Sequence, residues 1–173
     1  LYDNGAMSQY NTISNLSESP EKEGLIYVAT DDGLIQVTEN SGKKWRQAGN
    51  LPGVPKGSFI QCVTASQHNA KTVYAVAGAH KIGDFSPYVF VSNDRGKSWR
   101  SIVGDLPDGT IIWAIEQDHV NPDLLFLAAE FGLYVSVNHG ENWLKLNGGV
   151  PTIAFRDLKL HRRDNDLVGA TFG

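Results

Sequence analysis

The chain has 173 residues, 41% of them hydrophobic and 20% charged, with a net charge of -4 and a pI near 5.7. This composition excludes a disordered chain, and the acidic balance argues against a nucleic-acid binder, which carries a basic face. No apolar run reaches the roughly 18 residues that a membrane-spanning helix needs.

Glycine is frequent, strand-like runs are short, and helical periodicity never lasts beyond two turns, a pattern that predicts an all-β fold. The first unit opens with a weak strand A, Tyr10 to Ser17. Strand B follows at Leu25 to Thr30, then the turn Asp31-Asp32-Gly33, strand C at Leu34 to Thr38, and strand D at Lys44 to Ala48. A proline-containing loop, Gly49 to Ser58, leads to the second unit, with strands at Ile60–Ser66, Thr72–Ala77, Tyr88–Ser92 and Ser98–Val103. The third unit has strands at Ile111–Gln117, Leu124–Ala129, Leu133–Val137 and Asn142–Leu146. A fourth begins with Phe155–His161 and Leu167–Thr171. The chain starts at Leu1 without an initiator Met and ends in a strand-like run, so both ends are expected to be cuts in a longer protein.

One turn joins strands C and D in each full unit: Thr38 to Trp45, Ser92 to Trp99 and Ser136 to Trp143. Each has a hydroxyl residue, Asn or Asp two places on (Asn40, Asp94, Asn138), then Gly (Gly42, Gly96, Gly140), then Trp (Trp45, Trp99, Trp143). Gly supplies the positive φ of a tight turn, and Asn or Asp bonds the backbone of its own turn. The Trp is expected to pack on the next unit, with about 200 Å² of surface to bury. Trp45 and Trp99 are 54 residues apart, and Trp99 and Trp143 are 44 apart. Four strands per unit with this period predict β-propeller blades: 10–48, 60–103, 111–146 and the start of a fourth at 154–173. Most of the extra length in the second unit falls in one enlarged loop, Gly78 to Pro87.

The turn resembles the Asp-box, or BNR repeat, of pattern Ser-x-Asp-x-Gly-x-x-Trp. Asp94 fits it fully, Asn40 and Asn138 replace the acid, and Thr38 replaces the Ser. The segments Ala29 to Val37, Ala129 to Ser136 and Asp166 to Gly173 are similar to large bacterial proteins with sortilin-like propellers, many of which bear a glycosyl hydrolase label. This resemblance covers nearly the whole chain. It implies a propeller and an exported protein, and it does not carry an activity.

In such a propeller the B–C and D–A loops share one face, and the C–D turns lie on the other. The face to search holds Asp31, Asp32, His80, Lys81, Asp84, Asp108 and Glu130, and the proline loops at Leu51 to Pro55 and Leu106 to Asp108. Paired carboxylates about 5–10 Å apart perform glycosidic acid/base work, yet Asp-Asp-Gly is also simply a good turn. The enlarged loop offers an imidazole, a cation, a carboxylate and the aromatic Phe85. Trp113, in an innermost strand, can either pack in the core or line the channel and stack on a sugar. Cys62 lies in the apolar-alternating stretch Phe59 to Ala65 and reads as a buried small hydrophobe. Arg156 precedes Asp157-Leu158, so a sialidase Arg-Ile-Pro motif is missing. Zinc-ligand spacing, a calcium loop and a phosphate-binding Gly loop are also missing, so no metal or cofactor is expected.

Two functions remain in view: a non-catalytic scaffold that binds protein or peptide, and part of a glycoside hydrolase acting on glycans. No complete catalytic set can be assembled, which favours the scaffold. Three and a half blades cannot close a ring, so the chain is expected to meet the remaining blades of a parent protein or to associate with itself. Light scattering at high concentration checks this: self-association is the expected result, and a monodisperse monomer counts against it.

Overall fold

The computed structural model describes residues 12–171. The elements in chain order are β1 (Ile13–Glu18), β2 (Ile26–Thr30), β3 (Ile35–Thr38), β4 (Trp45–Gln47), β5 (Phe59–Ala65), β6 (Val73–Ala79), β7 (Asp84–Ser92), β8 (Arg100–Ser101), β9 (Ile112–Gln117), β10 (Leu125–Ala129), β11 (Gly132–Ser136), β12 (Leu144–Lys145), β13 (Phe155–His161) and β14 (Asp166–Thr171). They form three four-stranded antiparallel sheets and one two-stranded sheet, each in sequence order. The expected Tyr10 at the start of the first strand lies outside the described residues.

Strands β1, β5, β9 and β13 pack side by side. They line a central cavity of about 290 Å³, with Asn15, Thr64, Glu116 and Lys159 each contributed by a different sheet. Four sheets arranged around a channel, innermost strand first, make a β-propeller fragment of about three and a half blades. All seven residues of β6 are buried, as a strand between two neighbouring blades requires. One core cluster joins the first two blades, and a second joins the second, third and fourth.

The enlarged loop is a correction. Only His80–Gly83 is turn, because β6 runs on to Ala79 and pairs there with Asp84. The pairing sets three residues of β7, Phe85 to Pro87, against the single Gly78, an excess of two. Pro87 has no N–H to offer a ladder and sits in this unpaired stretch.

The C–D turns share one circuit. In the second blade Ser92 Oγ donates to Asp94 Oδ1 at 2.7 Å, and the Gly96 N–H donates to Ser92 Oγ at 2.8 Å. The N–H groups of Lys97 and Ser98 close on Asp94 Oδ1, both at 2.9 Å. Asn40 and Asn138 take the same role, accepting from the Lys44 and Asn142 N–H groups at 2.8 and 3.1 Å. The residue before each Gly is also left-handed (Ser41, Arg95 and His139, φ 57 to 62°), so two successive residues make the corner.

These turns seat on the preceding blade, not the next one. Trp143 is 5% exposed and its Nε1 donates to the Ile102 carbonyl, at the end of the second blade, at 2.9 Å. Gly140 lies so close to Ile102 that a methyl group there would touch it at 3.0 Å. Likewise the Gly49 N–H donates to the Gly96 carbonyl at 2.7 Å, which joins the first blade to the second blade's turn. Arg95 adds an ion pair to Glu39 across the same boundary at 2.6 Å. Trp45 of the first blade has no described residue in that position and is 42% exposed.

Trp143→Phe removes a made bond in a buried site and is expected to cost about 1–3 kcal/mol. Trp99 Nε1 is buried without a partner, so Trp99→Phe is expected to cost less than Trp143→Phe, and Trp45→Phe close to nothing, in urea unfolding of the three variants. The hydrogen bonds of Ser98, with those of Ser92 and Lys97, hold the Asp94 carboxyl down to about 2 from its ordinary 3.8. The stabilisation is therefore present above about pH 4 and lost as pH falls through about 2. Thermal melts from pH 5 to 2 are expected to show a shallower acid loss for Asp94→Asn than for the parent chain.

Candidate functional site

A register slip repeats in all four blades and builds the site. In β1, Ile13 and Asn15 pair with Thr30 and Ala29, leaving Ser14 as an extra residue. The same count leaves out Gln61 in β5, Trp113 in β9 and Arg156 in β13. Each is a one-residue bulge, which kinks its strand and re-aims a side chain. An apolar anchor precedes each extra residue: Ile13, Ile60, Ile112 and Phe155, the last three buried. The bulges sit at the starts of the innermost strands, at the B–C and D–A end of the molecule.

Two of the extra residues, Trp113 and Arg156, meet there with the turns beside them. Trp113 Nε1 donates to Glu130 Oε2 at 2.7 Å. The Arg156 guanidinium lies 3.5 Å from the Trp113 ring centroid, and its Nη2 is 3.5 Å from Glu130 Oε2. The His80 ring meets Trp113 edge-on, with centroids 5.2 Å apart. A cation stacked on an indole contributes about 0.5–1 kcal/mol at an exposed site and orders both groups. Burial, then Lys81 and Arg156, push the His80 imidazole below its ordinary 6.5, with Glu130 opposing, so its neutral form prevails at pH 7.

Of the sequence candidates, His80, Trp113 and Glu130 are brought together and the others are not. The Asp31 carboxylate accepts from the Thr12 N–H at 3.0 Å. Asp32 accepts from Thr30 Oγ1 at 2.5 Å and borders a separate groove of about 570 Å³, lined also by Leu51, Pro55 and Ser58. Asp84 accepts from Tyr88 Oη at 2.7 Å and from the Ser86 N–H at 2.9 Å, bonds that hold its carboxyl below its ordinary value. Trp113 packs partly against the core and has one ring face under Arg156, so that face is closed to a stacking sugar. Arg156 was missed as a site residue, and the extra residues Ser14 and Gln61 were not weighed. Their signal was the recurring step of apolar anchor, extra residue and resumed strand, which has meaning only once pairing is known.

Exposed apolar groups flank the cluster: Ile82 and Phe85 on the β6–β7 hairpin and Phe131 beside Glu130, 59%, 52% and 63% exposed. At the other end of the molecule His161, Asp164 and Asp166 have potential ligand atoms within 4.8 Å of one another. All three are exposed, and Arg163 occupies Asp164 at 2.7 Å, so they make a poor cation site.

No family model matches the chain. It is 31% identical over 91 residues to a vacuolar protein sorting/targeting protein 10 of Laccaria bicolor, a match over 53% of this chain and 5% of that protein. In structure it is similar to the GH74 xyloglucanase of Xanthomonas campestris (15% identity, TM-score 0.72, 92% of this chain, 26% of that one). It is also similar to the β-propeller domain of Cps50 (Swd1) from Myceliophteria thermophila (15% identity, TM-score 0.65, 92% and 49%). An extracellular domain from B. thetaiotaomicron aligns as well (18% identity, TM-score 0.65, 95% and 20%). These likenesses bear out the propeller fold. The chain spans about a twentieth of the length of the sorting protein and a quarter of that of the xyloglucanase.

Proposed function

We propose that the chain is a non-catalytic binding module of a larger propeller protein, and that it takes a protein or peptide at the bulge end. The observation that carries this reading is the company around Trp113. An ordered Trp–Arg–Glu group is flanked by exposed Ile82, Phe85 and Phe131 on neighbouring turns. Aromatic and Arg anchors beside exposed apolar side chains are the composition of protein-binding hot spots.

The glycoside hydrolase alternative needs two carboxylates facing one bond. Of the four candidates only Glu130 joins the Trp113 cluster, while Asp31 and Asp32 bond Thr12 and Thr30 of the first blade and Asp84 bonds Tyr88 of its own strand. The Asp-box reading of the C–D turns is supported by their shared hydrogen-bond circuit. The sortilin-like and exported readings draw on the short match to the sorting protein and on the extracellular neighbour. A bacterial origin rests on the sequence resemblance alone.

The test is a peptide and glycan array probed with the chain, followed by titration of the hits. Peptide binding is expected, weakened about tenfold or more by Phe131→Ala and by Arg156→Ala, changes of hot-spot size. Asp31→Asn is expected to leave binding unchanged. Binding confined to glycans, or peptide binding indifferent to Phe131 and Arg156, would overturn the reading.

A further inference from the structure

The repeat places equivalent residues at each boundary between blades, and the boundaries differ in charge. Counted along the C–D turns, Glu39, Asn93 and Val137 are equivalent, and so are Arg46, Arg100 and Leu144. Tyr27, Tyr74 and Phe126 stand in one row with them. Each pairs with the Val (Val37, Val91 or Val135) that Arg46, Arg100 or Leu144 meets from the other side. At the first boundary one carboxylate closes the group. Glu39 holds Lys22 at 3.3 Å, Arg46 at 3.5 Å and Arg95 of the second blade at 2.6 Å. Tyr27 is fully buried within reach of these charges.

At the second boundary the cation is kept and the acid is lost. Asn93 stands in the place of Glu39, and its Oδ1 accepts from Thr72 Oγ1 at 3.0 Å. His139 stands in the place of Arg95, with its Nε2 2.6 Å from Asp123 Oδ1. Asn69 stands in the place of Lys22, since each accepts the bond that closes its A–B turn. Arg100 makes no hydrogen bond or ion pair with any described residue. These four residues line a groove of about 460 Å³ between the second and third blades. Tyr74 lines it too. It is 2% exposed, and its Oη accepts from Gln117 Nε2 at 3.1 Å and donates to no described residue. Burial pushes the phenol up to about 12, so the hydroxyl keeps its proton at pH 7. Glu141 also borders the groove and forms no ion pair with Arg100. At the third boundary Val137 and Leu144 carry no charge at either position.

An exposed guanidinium alone would be ordinary. Here a buried hydroxyl with an unspent proton lines the same groove, and one blade earlier the repeat fills the equivalent place with a carboxylate. We propose that the groove binds a carboxylate, from an acidic side chain or a free acid, which does at the second boundary what Glu39 does at the first. Arg100 pairs with it, and Tyr74 Oη donates to it. Hydrogen bonds to an ionised acceptor are roughly twice as strong as neutral ones. The groove lies on the face of the C–D turns, away from the bulge end, and does not depend on the peptide reading above.

The probes are glutarate and a glutamate blocked at both backbone ends, with acetamide and sulfate as controls. Each is titrated into the whole chain while NMR follows the Arg100 guanidinium and the Asn93 and His139 amides. Saturable shifts are expected with a carboxylate and none with acetamide. Binding of the blocked glutamate identifies an acidic side chain as an admissible ligand, and binding of glutarate alone identifies a free acid. Arg100→Gln is expected to weaken binding about tenfold or more, and Tyr74→Phe about threefold or more. Tyr74→Phe installs the residue type that the third blade already carries at Phe126. Asn93→Glu supplies the acid within the chain. It is expected to raise the thermal midpoint, by less as salt screens the pair, and to abolish probe binding. Glu141→Gln is expected to tighten binding by removing a like charge. Binding of sulfate without either carboxylate, or of no probe at all, overturns the inference. So does carboxylate binding that Arg100→Gln and Asn93→Glu leave unchanged. A thermal midpoint lowered equally by Glu141→Gln and Arg100→Gln, with no further loss in the double variant, would make Glu141 the partner of Arg100 and also overturn it.

Discussion

Burial of both faces of the middle strands is the constraint on which the rest depends. A strand such as β6, apolar on each side, cannot stand at a surface. It needs a sheet against each face, and repeated blades supply them. The blades must also be held in register along their shared boundary, and the C–D turns do this by seating on the preceding blade. Trp143 shows the full form, with its ring buried and its N–H bonded to the Ile102 carbonyl. Trp45, with no described neighbour of that kind, shows the same turn with its ring half out in water.

The far end of the molecule follows from a different consequence of the same repeat. Each innermost strand holds one residue more than its partner can pair, always next to an apolar anchor. In three of the four strands the anchor is buried beside the slip, and in all four the extra residue lies outside the ladder. Ser, Gln, Trp and Arg fill these places. The frame is thus constant while the chemistry at the channel mouth varies from blade to blade. Glu130 and His80, on turns beside the channel, complete the group.

Much of this was legible in the sequence. Apolar runs located the strands, and the Gly-Trp turns set the period and told which loops lie opposite them. The bulges were not legible, because a bulge belongs to the pairing of two strands and leaves no mark on either alone. Arg156 was therefore weighed only against a motif it does not fit. The loop at Gly78 to Pro87 misled for a related reason. Proline and glycine signal a break, and the hairpin accommodates both by slipping its register and pairing again at Ala79 and Asp84. The direction of Trp packing was invisible as well, since composition does not distinguish the sheet ahead from the one behind.

The backward seating of the turns gives the chain an order of assembly. As the polypeptide grows, every new turn meets a seat that already exists, so each blade is fastened on completion without waiting for its successor. A blade lost from the front would orphan one tryptophan and leave the later fastenings intact. Blades added at the back would lock on by the same contact. A propeller built this way can change its number of blades during evolution by extending at one end, with no change to the joints already made.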